Sequence, residues 1–229
     1  MKASEEAPAL PWVPAELAGI IATKPSDAGA LPGEVELDDA FTQQSMRQEL
    51  LKRYAVVHIA SHFRFQPGND TQSYLLLGNG EHLSLAELRT SANLFGGVQL
   101  LTLSACNTGM GDGTEVEGFG TLAQRQGAKA VVASLWPVAD VSTSLLMRSF
   151  YRNWQSSPRI TKLEALRRAQ LELLHGAEKL TEGVSNRGLR LNERPNGDHS
   201  NALPFPTDAK LPYAHPYYWA PFFLMGNWL

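Results

Sequence analysis

The chemistry-bearing residues of this chain sit at the ends of two apolar runs. In Val98 to Gly109, VQLLTLSACNTG, the run breaks into small residues, with Cys106, the single cysteine, at the tip. In Ala55 to Ala60, AVVHIA, the run ends in Ser61 and His62. A thiol attacks as its thiolate, and needs a base to take its proton and donors for the oxyanion that follows. If the two runs are parallel neighbours, Cys106 and His62 emerge on one rim, at the strand carboxyl ends where such sheets carry their chemistry. Ser104, Ala105, Thr108 and Gly109 leave room for a peptide carbonyl. Taken alone, a single cysteine in an apolar strand is usually an inert small hydrophobe.

The other histidines carry less. His58, inside AVVHIA, is expected as a core histidine. His58 and His62 share an H-x-x-x-H spacing, but on a strand they lie ~13 Å apart at ~3.3 Å per residue. Ile59 stands where a metalloprotease helix has its glutamate, so no metal site is expected. The sequence also shows no phosphate-cradling loop, and no cofactor is expected.

These residues must be held by a framework. VQLLTL reads as a strand buried on both faces, AVVHIA as a second strand, and Ala130 to Trp136 (AVVASLW), closed by Pro137, as a third. Asn79-Gly80 between SYLLLG and EHLSL predicts a small hairpin over 74–85. Helices are predicted over Trp12 to Ile21, within 36–53 (capped by Asp38 or Thr42), from Leu85 behind Ser84, and from Val116 through Ala123 to Gly127. Two more carry the stripes Leu145, Leu146, Phe150, Trp154 and Leu163, Leu166, Leu173, Leu174, the second opened by a Thr161/Glu164 capping box. Residues 1–35 offer no convincing first strand, and 176–212 read as a loop insertion. Tyr217 to Leu229 reads as a final strand, which Pro221 places at a sheet edge or on a bulge. Strands alternating with helices predict an α/β fold of one domain over 1–229, with a mostly parallel central sheet and helices on both faces.

Composition narrows the functions. A net charge of −3 argues against nucleic acid as a partner. One cysteine forms no internal disulfide, which fits a reducing compartment. Acidic residues occupy the start, where a signal peptide needs apolar ones, and no run reaches the ~18 apolar residues of a membrane span. A cytoplasmic protein without membrane contact is expected.

HIASHF (58–63), LLTLSACNTG (100–109), EVEGFGTLAQRQGAKAVVASLWPVAD (115–140), MRSFYRNW (147–154), KLEALRRAQ (162–170) and HPYYWAPFFLMGNW (215–228) together resemble the CHAT domain. This is a bacterial caspase-like module often joined to tetratricopeptide repeats. The resemblance runs from about residue 46 to the end, with residues 1–45 only weakly matched.

The resemblance implies a caspase-like three-layer α/β/α fold and cysteine endopeptidase activity on a protein or peptide substrate. It places the nucleophile at Cys106, the histidine at His62 and the oxyanion donors at the backbone N–H groups of Phe63 and Cys106. Caspase-like enzymes commonly have glycine where this chain has Phe63, and a bulky side chain there is expected to crowd the rim. The loop Trp136 to Asp140 corresponds to the pocket for the residue before the cleaved bond, with Asp140 the candidate for pairing a basic side chain and Glu115 and Glu117 its rivals. Helix capping explains Asp140 as well, and the helix macrodipole explains the glutamates. Metacaspases carry an Asp two residues before the cysteine, where this chain has Ser104. The connection Asn107 to Lys129 is nearly filled by one predicted helix, so a single-chain enzyme is expected, controlled by a partner or by upstream repeats. Arg187, Arg190 and Arg194 in the 176–212 segment fit a regulatory loop or a plain insertion. The rival reading is a catalytically silent interaction module in a signalling or defence assembly.

Overall fold

The computed structural model describes residues 7–104, 118–176, 205 and 208–229. Cys106, Glu115, Val116, Glu117 and the three arginines of the 176–212 segment lie outside the described residues. The chain divides into two units, one of Met1–Pro14, Glu34–Pro137 and Phe222–Leu229, the other of Ala15–Gly33 and Val138–Pro221.

The first unit is built on a four-stranded sheet. The helices and strands are numbered here in chain order. Strands β3 (Val56–Ala60), β7 (Leu100–Ser104), β8 (Ala130–Ser134) and β9 (Phe222–Gly226) lie side by side in that order. The first three are mutually parallel, and β9 runs antiparallel to β8, pairing Ser134 with Phe222 and Ala130 with Gly226. The sheet is therefore mixed, which corrects the mostly parallel expectation. The apolar run FFLMG specifies burial and carries no signal for direction. β9 lies at the sheet edge, but it is shorter than the strand expected from Tyr217: Pro216–Tyr218 form a 3-10 turn and Pro221 stands just before the first strand residue, outside the ladder.

Every residue of β7 and β8 is buried, as continuous apolar runs predict. Ile59, Leu101, Leu103, Val131 and Ala133 belong to a core completed by Met46 and Leu50 of α2 (Gln43–Leu51), Leu85 and Leu88 of α3 (Leu85–Thr90), and Phe119, Leu122 and Ala123 of α4 (Phe119–Arg125). Each helix start has its own cause. Thr42 caps α2 in a reciprocal box with Ser45, so Thr42 and not Asp38 does this work. Ser84 and Glu87 form the same device on α3. Gly127, with φ 109°, turns the chain from α4 into β8 in a conformation other residues adopt at a cost.

The predicted hairpin is present with a third strand added. β5 (Tyr74–Leu76) and β6 (His82–Ser84) flank the Asn79-Gly80 turn, where Gly80 has φ 87°. β4 (Phe63–Arg64) pairs antiparallel with β5.

The second unit takes in α1 (Val13–Ile20) from Ala15 onward, and that helix leads into two short parallel strands, β1 (Ile21–Ala22) and β2 (Leu31–Pro32). Two residues each, they are too short to leave an apolar pattern. α5 (Asp140–Gln155) and α6 (Lys162–His175) pack together through a polar knot. Glu172 accepts from Ser149 Oγ, from Arg152 Nη2 at 2.7 Å and from Asn153 Nδ2 at 3.0 Å. Only half the predicted box opens α6: Thr161 Oγ1 accepts from the Glu164 N–H at 3.2 Å, while Glu164 binds Arg168 at 2.8 Å. Gly176, in the left-handed conformation, closes α6. Among the described residues no helix is long and apolar enough to cross a membrane.

Candidate active site

Parallel pairing aligns the strands that lead to the residues that the sequence singled out. His58 pairs with Thr102, and Thr102 with Val132, forming one row across three strands. Four residues further along the chain from each come His62, Cys106 and Trp136. The pairing of β3 with β7 continues to Ala60 opposite Ser104, and the Ser61 N–H extends it by donating to the Ser104 carbonyl at 3.3 Å.

His62 is fixed from several sides. Its carbonyl accepts from the Leu76 N–H at 2.9 Å, and the hydroxyl of Ser61, buried at 2% exposure, donates to the Leu76 carbonyl. The chain is thus held to β7 just before His62 and to β5 just after it. The half-buried imidazole places Nε2 2.8 Å from the carbonyl oxygen of Pro8. A carbonyl can only accept, so Nε2 carries the proton and Nδ1 is left with the basic lone pair. Burial pushes the His62 pKa below the usual histidine value, and the Pro8 carbonyl opposes that by favouring the protonated ring. His62 is therefore neutral at pH 7 and able to take up a proton.

Phe63 departs from expectation. Its side chain is 5% exposed and meets Phe119 edge-on at 5.8 Å between ring centroids, so it is core and does not crowd the rim. The alternation of a strand explains this: Phe63 points inward and Arg64 outward. The same ladder determines its N–H. Because Leu76 and His62 form a hydrogen-bonded pair, Phe63 and Leu75 form the next, non-bonded pair, and the Phe63 N–H is directed away from β5.

Trp136 follows β8 by two residues and is half-buried. Asp140 belongs to the second unit, at the first position of α5. Ala139 is the residue before that helix and no side chain caps it, so Asp140 is not its cap. The residue that sequence reasoning missed is Pro8. A backbone carbonyl is common to every position, and no residue type could have announced it.

Comparison with known proteins adds a family. No curated protein matches the chain. A family model described as the CHAT domain matches residues 2–227, which takes in the N-terminal 45 residues that the motifs alone matched weakly. With nearly its whole length so matched, the chain belongs to the CHAT-domain family, a family associated with caspase-like cysteine peptidases.

Proposed function

We propose that the chain is a caspase-like cysteine endopeptidase with Cys106 as nucleophile and His62 as the proton-transfer residue. The observation that supports this is the row His58–Thr102–Val132 on adjacent parallel strands, with His62 and Cys106 each four residues further on in the sequence from their member of that row. In this reading Nδ1 of His62 takes the thiol proton and the sulfur attacks the peptide carbonyl. The oxyanion is met by the N–H groups of Phe63 and Cys106. His62 then protonates the leaving amine, and later deprotonates the water that hydrolyses the thioester. Pro8 holds the ring in the tautomer this needs, and stabilises the imidazolium that forms midway.

The fold belonging to this activity is the three-layer caspase-like sandwich. Trp136, Asp140, Glu115 and Glu117 are assigned to substrate selection, with Asp140 recognising a basic residue before the cleaved bond through a carboxylate–guanidinium pair. A repeat region or regulatory protein is the partner this reading assigns, in a bacterial cytoplasm.

The test is labelling by a peptidyl electrophile ending in arginine. Cys106 should be modified in the wild type and unlabelled in Cys106→Ala, with labelling slowed at least tenfold in His62→Ala. Equal labelling of all three proteins would end the peptidase reading. An inert Cys106 in well-folded, partner-loaded protein would favour the silent interaction module.

A further inference from the structure

Arg64 stands two residues beyond His62 and has no place in the chemistry above. It is exposed, and among the described residues it forms no ion pair. Side chains alternate along β4 and Phe63 is buried in the core, so His62 and Arg64 project from the same face. The strand beneath them is firm. Arg64 pairs with Tyr74, which is 6% exposed and stacks on His82 at 3.6 Å between ring centroids. The Arg64 backbone is therefore held roughly 6.6 Å beyond that of His62 along an extended strand, with the guanidinium reaching out from there.

We propose that Arg64 recognises an acidic side chain located one or two residues after the cleaved bond. The inference rests on the peptidase reading. His62 delivers its proton to the leaving amine, so the substrate residues after that amine pass on the His62 side, opposite Trp136. An extended peptide advances ~3.3 Å per residue, as β4 does, so its first or second residue past the amine comes level with Arg64. A carboxylate there meets a permanently charged planar donor with no competing anion from the described chain. Together with the basic residue assigned to Asp140, the preferred site is a basic residue followed closely by an acidic one.

The experiment uses the full chain and internally quenched peptides amidated at the C-terminus, which removes the terminal carboxylate as a rival anion. Peptides carrying Asp or Glu at the first two positions after the cleaved bond are compared with their Asn or Gln isosteres. Wild type should prefer the acidic peptides by about three- to fivefold in kcat/KM, the range of a partly exposed ion pair. The preference should shrink as salt is raised from about 0.05 to 0.5 M. Arg64→Gln should bring the ratio to about one, Arg64→Glu should reverse it in favour of Lys, and Arg64→Lys should keep part of it. A wild-type ratio of one alongside cleavage abolished by Cys106→Ala, or a preference surviving in Arg64→Gln, overturns the Arg64 assignment alone. Absence of any Cys106-dependent cleavage overturns the peptidase reading and this inference with it.

Discussion

The Nε2 atom of His62 lies 2.8 Å from the carbonyl oxygen of Pro8. A backbone atom near the start of the chain thereby decides which nitrogen of a side chain at the end of β3 carries the proton. Nitrogen-15 spectra of the imidazole should show the Nε2–H form at pH 8. An Nδ1–H form would remove Pro8 from the account.

The lowered His62 pKa has a consequence for stability with a definite sign. The unfolded chain takes up this proton near the ordinary value of ~6.5, while burial resists it in the fold. Stability is therefore full above about pH 6.5 and declines as pH drops through the lower folded value. Urea unfolding between pH 8 and 5 should show a shallower decline in His62→Gln, whose side chain never charges. Parallel curves for the two proteins would contradict the assignment.

Ser61→Ala removes the donor that holds the Leu76 carbonyl in a buried setting. The expected loss is about 1–3 kcal/mol by denaturant unfolding. Because the lost bond steadies the peptide before His62, kcat on a cleavable peptide should fall more than KM changes. A stability loss with an unaltered kcat would make Ser61 a purely structural residue.

Phe63→Ala opens a cavity beside Phe119, and a loss of about 3–5 kcal/mol is expected. A surface-like cost below about 1 kcal/mol, read from the urea midpoint, would return Phe63 to the rim.

Glu172 receives donors from three residues of α5, so Glu172→Ala strands several polar groups together. About 2–3 kcal/mol is expected, most of it from the less exposed Ser149 and Asn153, since Arg152 is about half exposed and its pair is screened. A Ser149→Ala, Glu172→Ala double-mutant cycle should be non-additive; simple additivity would mean that the knot does not act as a unit.

Much of the framework was readable from residue order. Continuous apolar runs marked β3, β7 and β8, Asn79-Gly80 marked the hairpin, and Ser84 and Thr161 marked helix starts. Each is a local signal, complete within a few residues. What escaped was non-local or too short. The direction of β9 depends on which edge the chain enters from, and β1, β2 and β4 span two residues each. The burial of Phe63 follows from pairing with β5, which its neighbours in sequence do not encode. The same holds for the site: side-chain identity pointed to His62, while its carbonyl partner Pro8 is a property of the path of the chain.

The antiparallel course of β9 bears on how the chain can be handled. Because Phe222 pairs with Ser134 and Gly226 with Ala130, the chain enters β9 level with the carboxyl ends of the parallel strands, the end beyond which His62 lies, and runs out at their amino ends. A tag, fluorophore or surface tether placed after β9 therefore departs from the strand ends away from His62. Pro8, by contrast, is held to the His62 imidazole itself, so a change made there bears directly on the ring. Pro8 and the exit from β9 are thus unequal places to attach anything: the first touches His62, and the second leaves the sheet away from it.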